Sequence, residues 1–470
     1  MFKGYISHST KQVRWIINEK ASFLIPYLER VHEIKNNDFF TIIKKDNYKI
    51  IGEFKIPQAD NEQAYLVKIY KYPYLFQRIK NLLKHTRTFR EFNTTYITGS
   101  RGISVEVPVA HGEEKRLFIK KSYIIIKKIK DSCTLREYFK SNASLEERRR
   151  VLRKFGKLAK EIHDAGIKQD DFSLDNFLIY KDVERKEKII LIDFERVSVQ
   201  ARCLNERLCT WYLAKLNRAK NYFSNADRLR FLMSYTNGNY KYCKRLAQQI
   251  ESITIRIQKK DARKFHVQSV RENRKYGVFK NSGFYGLYKK KYQPETLLAI
   301  LKKAEETDET TLYTNQFQIL RLFENPAVLR GQGIFRWTWM HANALFALRI
   351  NVPIPAGLFI KNPARKPNEG FLISETTGTC IPLNKYPDFN QNKDKISFAL
   401  LQFVKQISPF GMLRKDIKAS DILVQISDDR RLKCYLGNYK LFCINQFSVQ
   451  RNMQINLQLV ERLLKTNDNL

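Results

Sequence analysis

Residues 162–197 read IHDAGIKQDDFSLDNFLIYKDVERKEKIILIDFERV, and the order of parts in this stretch decides the fold around it. Just upstream, SLEERRRVLRKFGKLAKEIHDAG (144–166) begins with Ser144 followed by Glu147, a pairing that satisfies orphan amides at a helix start. Val151, Leu152, Phe155, Leu158, Ala159 and Ile162 then recur at the spacing of one buried helical face, and Gly166 stops the helix. An acidic loop containing Asp171 and Asn176 comes next. After the charged turn KDVERKEK, the apolar run Ile189–Ile192 reads as a short buried strand that ends at Asp193.

A helix, an acidic loop and a hairpin that delivers a carboxylate is the order of parts in a kinase catalytic loop. Asp171 and Asn176 stand five residues apart, as Asp and Asn do in H-R-D-x-x-x-x-N. Phosphoryl transfer needs a carboxylate to orient and deprotonate the attacking hydroxyl. It also needs a neutral and a charged oxygen ligand for the magnesium that bridges the phosphates. Asp171 as catalytic base, with Asn176 and Asp193 as metal ligands, fill those roles. Singly, each is an ordinary loop residue; together and in order they point to phosphotransfer. Upstream, AYLVKIY (64–70) alternates like a half-buried strand and centres on Lys68, in the manner of the V-A-I-K strand whose lysine holds nucleotide phosphates. The basic stretch FQRIKNLLKHTRTFREF (76–92) supplies Glu91 as its ion-pair partner. YIIIKKIKDSCTLREYF (123–139) reads as the last strand of a small lobe running through a hinge, with adenine against the backbone near Ile126–Asp131.

Two departures narrow the class. No G-x-G-x-x-G precedes Lys68, where KIIGEFKIP offers only Gly52, and no G-x-x-x-x-G-K-[ST] occurs, which excludes a P-loop kinase. The loop reads Gln169-Asp170-Asp171 where protein kinases have His-Arg-Asp, and Asp193-Phe194-Glu195 where they have Asp-Phe-Gly. Together with RCLNERLCTWYLAKLN (202–217) and NADRLRFLMSY (225–235), these residues resemble the bacterial lipopolysaccharide core kinases that phosphorylate Kdo or heptose, over roughly residues 35–240. The resemblance implies a protein-kinase-like fold, ATP and Mg2+ as cosubstrate and cofactor, and a sugar hydroxyl on a lipid-linked acceptor. It also implies a cytoplasmic protein peripheral on the inner face of the cytoplasmic membrane.

An altered echo appears 245 residues later. Gly166, Asp171, Asn176 and Asp193 fall on Gly411, Asp416, Asp421 and Asn438, and Phe155, Leu158, Ala159 and Ile162 fall on Leu400, Phe403, Val404 and Ile407. Pro108 likewise falls on Pro353. With a length difference, YLVKIYKYP (65–73) is echoed by QILRLFENP (318–326), which puts Arg321 at the place of Lys68 and Arg336 at that of Glu91. Two cations there repel rather than pair. The expected fold class is therefore α+β, a bilobal protein-kinase-like fold with a small β-rich lobe and a larger helical one, present twice in tandem. The expected domains are an N-terminal helical segment (1–35), an active kinase-like domain (36–240), a basic helical linker (241–270) and a degenerate pseudokinase-like domain (271–470). Val13, Ile16, Ile17, Phe23, Leu24 and Leu28 mark the first segment as an amphipathic helix.

Composition limits the alternatives. A chain of 470 residues with 43% hydrophobic and 13% aromatic residues has enough apolar mass for two or more cores. No apolar run approaches the roughly 18 residues of a spanning helix, and the polar start MFKGYISHSTKQVRW lacks the apolar stretch of a signal peptide. Seven scattered cysteines and seven scattered histidines form neither a disulfide framework nor a zinc signature. Eighty-five Lys+Arg against 47 Asp+Glu leave +38, and residues 241–291 alone hold fifteen basic and three acidic side chains. Such a surface favours polyanions, here the lipopolysaccharide or lipid A-core acceptor and an anionic inner-membrane surface. With no nucleic-acid module in the sequence, no specific nucleic-acid partner is expected. A small-molecule phosphotransferase of aminoglycoside- or choline-kinase type shares the loop logic, but acidic acceptor sites suit those cationic substrates and the charge here is opposite. A non-catalytic basic pseudokinase scaffold is the remaining alternative, and the complete Lys68, Asp171, Asn176 and Asp193 set speaks against it.

Overall fold

Val13, Trp15 and Ile17 are fully buried while Arg14 between the first two is exposed, so alternation governs the start of the chain. The expected helical segment over residues 1–35 is corrected accordingly. Strand β1 (Tyr5–Ser9) and strand β2 (Val13–Asn18) form an antiparallel hairpin, and helix is confined to a 3-10 turn (Glu19–Leu24) and α1 (Ile25–Glu33). Spacing of Val13, Ile16 and Ile17 fits a helix as well as a strand. Trp15 decides it, because a strand places that ring in a core with Val13 and Ile17.

This architecture is taken from a computed structural model. It describes residues 2–467 except 34–38, 59–60, 107, 115–117, 142, 282, 308, 315, 324–332, 362–368, 377–379, 388, 427–431 and 446–447. The chain divides into two mixed α/β units, Met1–Thr254 and Ile255–Leu470.

In the first unit, β3 (Phe40–Lys45), β4 (Lys49–Gln58), β5 (Asn61–Lys71), β6 (Pro108–Glu114) and β7 (Lys121–Lys127) join the hairpin in a seven-stranded antiparallel sheet ordered β1-β2-β6-β7-β5-β4-β3. The 3-10 turn and α1 cover one face, burying Leu24 and Leu28 against Trp15, Val67, Ile69, Tyr123 and Ile125. Each such side chain contributes about 1.5–3 kcal/mol. The other face receives α3 (Arg87–Ser100), which follows α2 (Leu75–Leu83) and packs Phe92 with Tyr5, Ile124 and Ile126.

The helical part begins with the short strand β8 (Cys133–Thr134), α4 (Leu135–Lys140) and α5 (Leu145–Asp164). Ser144 and Glu147 cap α5 reciprocally, each backbone amide 3.3 Å from the other's side chain. Gly166 follows at φ +72°, where a side chain would collide with the Arg202 carbonyl. Strand β9 (Ile167–Gln169) then leads through the acidic loop to the hairpin of β10 (Phe177–Lys181) and β11 (Glu187–Leu191). Strand β12 (Val197–Val199) returns to pair with β9, which brings both ends of the loop region together. Helices α6 (Glu206–Asn217), α7 (Asn225–Tyr235) and α8 (Tyr240–Gln268) complete the order. The basic segment expected as a linker is α8 itself, and the division between the units falls inside it.

The second unit orders β13 (Tyr276–Lys280), β14 (Phe284–Lys289), α9 (Pro294–Glu305), β15 (Thr311–Tyr313), β16 (Phe317–Phe323), α10 (Ile334–Ala347), β17 (Ile354–Lys361) and β18 (Glu369–Glu375). Its sheet runs β13-β14-β17-β18-β16-β15, and α11 (Lys393–Ile407), a hairpin (Ile422–Ile426 with Leu432–Leu436) and α12 (Val449–Asn467) follow. Arg321 does not take a place like that of Lys68. It lies on the α9 face with Ile319 and Phe371, where Glu369 accepts from its Nε at 2.5 Å, while Leu320 and Leu322 face α10. The alignment is off by one residue, which in a strand exchanges the two faces. Arg336 is exposed, so the two cations never meet. Residues 324–326 of the echo lie outside the described residues. Among the described residues no helix is long and apolar enough to cross a membrane.

Helix α5, which leads into the acidic loop, meets α7 through Gly156. A Cβ there would lie 2.4 Å from the Phe231 carbonyl and 2.9 Å from Ser234 Cβ. Gly→Ala in an exposed helix stabilises by roughly 1 kcal/mol. Here Gly156→Ala is expected to destabilise by about 1–3 kcal/mol through overpacking, read as a lower urea midpoint; a higher midpoint would refute the close contact.

Candidate active site

Lys68 sits in the middle of β5, paired with Ile51 on one side and Ile124 on the other, on the face that α3 covers. Burying an ammonium is costly unless it is paired. Glu91 on α3 meets it, with Glu91 Oε1 2.5 Å from Lys68 Nζ, and Asp193 Oδ1 lies 3.7 Å from the same nitrogen. The Lys68 and Glu91 side chains are 13% and 3% exposed against 46% for Asp193, so the pair is internal and Asp193 is the member open to a ligand. Burial alone lowers the lysine pKa, but Glu91 and Asp193 outweigh it and hold Lys68 charged, above its usual value. Thr86 caps α3 through the Phe89 amide at 3.2 Å, and buried Phe92 and Thr95 fix the helix rotation that aims Glu91 inward.

Asp193 occupies the left-handed region at φ +58°, unusual for a residue with a Cβ. The next turn, Phe194–Arg196, buries Phe194, and the Asp170 amide bonds the Arg196 carbonyl at 3.1 Å. Ile192 N donates to Asn176 O at 2.9 Å, and Asn176 Nδ2 donates to Asp171 O at 2.5 Å. Asn176 is thereby fixed between the two stretches that carry Asp171 and Asp193. Asp171 is exposed, as is Asp170, whose carbonyl accepts from Lys215 Nζ on α6. Burial lowers the Lys215 pKa, and Asp170 and Asp171 oppose that. After β7 the chain passes Lys128, whose amide bonds Ala64 O at 3.0 Å and whose carbonyl accepts from Gln63 Nε2 at 3.0 Å. Lys128 Nζ pairs with Glu53 at 2.7 Å.

The structure thus brings Lys68, Glu91 and Asp193 into one cluster, and Asn176 and Asp171 into direct contact. It also shows residues that sequence reasoning missed. Glu106, just before β6, is held where its amide bonds Leu191 O at 3.3 Å, and burial pushes its carboxyl up to about 7 despite the nearby Lys68. Glu106 matches no motif, so nothing in the sequence marked it. Lys49 and Arg87 converge on Glu195, at 3.0 and 3.8 Å. The Asp-Phe-Glu departure was the visible trace of that cluster. His111 and His163 are buried, hydrogen-bonded to Thr88 and Tyr235, and pushed by burial down to about 3, so both are neutral core residues. Among the described residues no group of three or more His, Cys, Asp or Glu is placed to hold a metal. The Asn176 and Asp193 pair is a smaller set of two oxygen donors.

A buried lysine–glutamate pair beside an aspartate turn is consistent with a kinase-like fold, and comparison with known proteins points the same way. Residues 43–235 match the model of the lipopolysaccharide kinase (Kdo/WaaP) family. A curated relative, the 3-deoxy-D-manno-octulosonic acid kinase of Vibrio cholerae serotype O1, is 25% identical over 138 residues, covering 29% of this chain. The match takes in 53% of the relative, so the chain spans about half the length of the curated protein it matches. A solved structure, WaaP in complex with acyl carrier protein, is 16% identical with a TM-score of 0.39, over 52% of this chain and 99% of that one.

Glu106 gives a pH-dependent signature. The unfolded chain releases its proton near the ordinary 4.5, the folded chain near 7, so between these values the folded state holds more protons. This group therefore makes stability fall as pH rises through that window. Glu106→Gln is expected to remove the fall, so that its Tm gains on the native protein between pH 5 and pH 7.5. Parallel Tm profiles would show that the carboxyl is not desolvated.

Proposed function

We propose that the first unit is an ATP-dependent phosphotransferase acting on a sugar hydroxyl, Kdo or heptose, of the lipopolysaccharide inner core. The observation that carries this reading is the Lys68–Glu91–Asp193 cluster, a charged lysine held in a nearly dry site with one carboxylate open to a ligand. Glu91 is the direct partner of Lys68, which leaves the more exposed Asp193 open to a polyphosphate and its cation.

In this reading Lys68 holds the α- and β-phosphates of ATP and Glu91 fixes the lysine's position. Asn176 and Asp193 would hold Mg2+, which when bound offsets the charge that develops on the transferring phosphoryl group. The donor set fits a hard cation: Asn176 spends its Nδ2 on the Asp171 carbonyl, leaving its amide oxygen, and Asp193 offers a largely exposed carboxylate. Asp171 accepts the proton of the attacking sugar hydroxyl as base. Its backbone is held by Asn176, and Lys215 holds the neighbouring Asp170 carbonyl. Adenine lies along the Ile126–Asp131 segment. The net charge of +38 supports an anionic lipopolysaccharide acceptor and work at the anionic cytoplasmic face of the inner membrane.

The second unit is, on this proposal, an altered tandem copy without catalysis. Its support is the repeated order of hairpin, helix, sheet strands, inner-face helix and acidic-loop region, with the loop aspartate kept as Asp416 and the lysine, its glutamate and the turn aspartate replaced. On β16 the residues facing α10 are Leu320 and Leu322, and buried Thr338 is the hydroxyl on the opposing helix. Asn438 is at φ −113° rather than in the left-handed region, and its amide reaches Asp421 at 3.4 Å. Asp416 is paired with Arg414 at 3.1 Å. Gln318 Nε2 bonds Gly437 O at 3.1 Å and the buried Tyr439 hydroxyl bonds Pro353 O and Ser374 Oγ, both at 2.8 Å, so the sheet is tied directly to the loop.

The test is ATP, Mg2+ and deacylated core oligosaccharide with the purified chain, read by mass spectrometry as an added phosphate. Asp171→Ala is expected to lower turnover by about 10²–10⁴-fold, and Asp416→Ala to leave it unchanged. Full turnover in Asp171→Ala would sink the assignment of the base.

A further inference from the structure

Glu195 stands two residues beyond Asp193, where protein kinases carry the glycine of Asp-Phe-Gly. Its carboxylate meets Lys49 Nζ of β4 through Oε2 at 3.0 Å and the guanidinium of Arg87, the first residue of α3, through Oε1 at 3.8 Å. Both cations lie against the Tyr70 ring, Lys49 Nζ 5.0 Å and Arg87 Cζ 6.0 Å from its centroid. Tyr70 is buried, pairs with Lys49 across the sheet, and follows Lys68 by two residues, hence on the same face of β5.

Three elements therefore close on one carboxylate, and each carries one member of the catalytic cluster or its neighbour. Arg87 precedes Glu91 by four residues on α3, so the two side chains share a face and fixing one fixes the other. Lys49 lies on the strand that pairs with β5, two residues from Ile51 opposite Lys68. Glu195 itself anchors the turn that holds Asp193 at its positive φ. Such a conformation persists only when the surroundings over-determine it. The N-terminal end of α3 adds a favourable field for the negative charge.

We propose that Glu195 is a positioning residue: a fixed negative charge that holds the Asp193 turn, α3 and β4 in register, so that Lys68, Glu91 and Asp193 stay assembled without modification of the chain. In protein kinases the lysine–glutamate pair and the metal-binding aspartate are brought into place by activation-loop phosphorylation. Here the turn supplies the anion from its own sequence. The inference rests on the roles proposed above for Lys68 and Asp193.

The experiment uses the full chain, with initial rates at varied ATP for Glu195→Gln, Glu195→Asp, Lys49→Met and the Lys49→Met/Glu195→Gln pair. Glu195→Gln is expected to raise the KM for ATP and lower kcat, for a combined loss of about tenfold or more in kcat/KM, and Glu195→Asp to restore part of it. Lys49→Met is expected to add little to the Glu195→Gln loss, because both remove one interaction. Phosphatase-treated protein is expected to keep full activity. Native KM and kcat in Glu195→Gln, additive losses in the pair, or activity that depends on a phosphorylated residue would each overturn the proposal. Should Glu195→Gln fail to fold, Lys49→Met alone decides: a raised KM for ATP supports the latch and native kinetics overturn it. Asp193→Ala separates the two readings. Turnover surviving in Asp193→Ala refutes the site assignment, whereas a dead Asp193→Ala beside a native Glu195→Gln refutes only the latch.

Discussion

The first unit is organised by the need to keep one ammonium charged in a nearly dry place. Lys68 projects from a central strand whose neighbours on that face, Ile124 and Ile126, are apolar. Alone it would shed its proton or force water into the core. Glu91 prevents this, and the requirement that a carboxylate arrive from above the sheet fixes the position and rotation of α3. Everything that seats α3 then serves the lysine: the Thr86 cap, the burial of Phe92, and the aromatic contacts of Phe92 with Phe2 and Tyr5 at 4.9 and 5.1 Å. The N-terminal hairpin is thus part of the scaffold of the site, although none of its residues belongs to the catalytic cluster.

The same constraint explains why the sheet is covered on both faces. A lysine and a helix on the inner face leave the outer face needing its own cover, and α1 with the preceding 3-10 turn supplies it. Trp15 and Tyr123 pack at 5.5 Å beneath them. With apolar surface secured there, the inner face is free to hold polar groups. The left-handed Asp193 turn is affordable on similar grounds, because β9 with β12, the Asn176 carbonyl and the Glu195 carboxylate all restrain it.

Sequence pattern anticipated which of the candidate residues meet better than it anticipated the packing around them. Asp171, Asn176 and Asp193 were legible because their spacing follows from the length of a loop and a hairpin, both local. Lys68 and Glu91 were legible as a strand lysine followed by a helical acid, and the structure brings them to 2.5 Å. What pattern missed depends on contacts between distant segments. Glu106 acquires its character only from burial beside Lys68, Glu91 and Asp193. The helix expected at the N-terminus failed because Val13, Ile16 and Ile17 fit a helical face, whereas burial of Trp15 with Val13 and Ile17 and pairing with β6 select a strand. Arg321 failed through a single residue of register, an error to which strand alignments without charge or turn markers are exposed.

On the proposed tandem reading, the second unit keeps a loop aspartate, Asp416, but has no counterpart of the Lys68–Glu91 pair on the sheet face toward α10. Removing the lysine alone would leave Glu91, 3% exposed, as an unpaired buried carboxylate at a cost of several kcal/mol, whereas Asp193, 46% exposed, would keep its water. Replacement has instead to be concerted. Apolar Leu320 and Leu322 face a helix that offers a threonine rather than a glutamate there, and an asparagine stands at the turn. Once no phosphate is to be held, nothing requires an opening between sheet and loop. Gln318 bonds the Gly437 carbonyl at 3.1 Å and Tyr439 the Pro353 carbonyl at 2.8 Å.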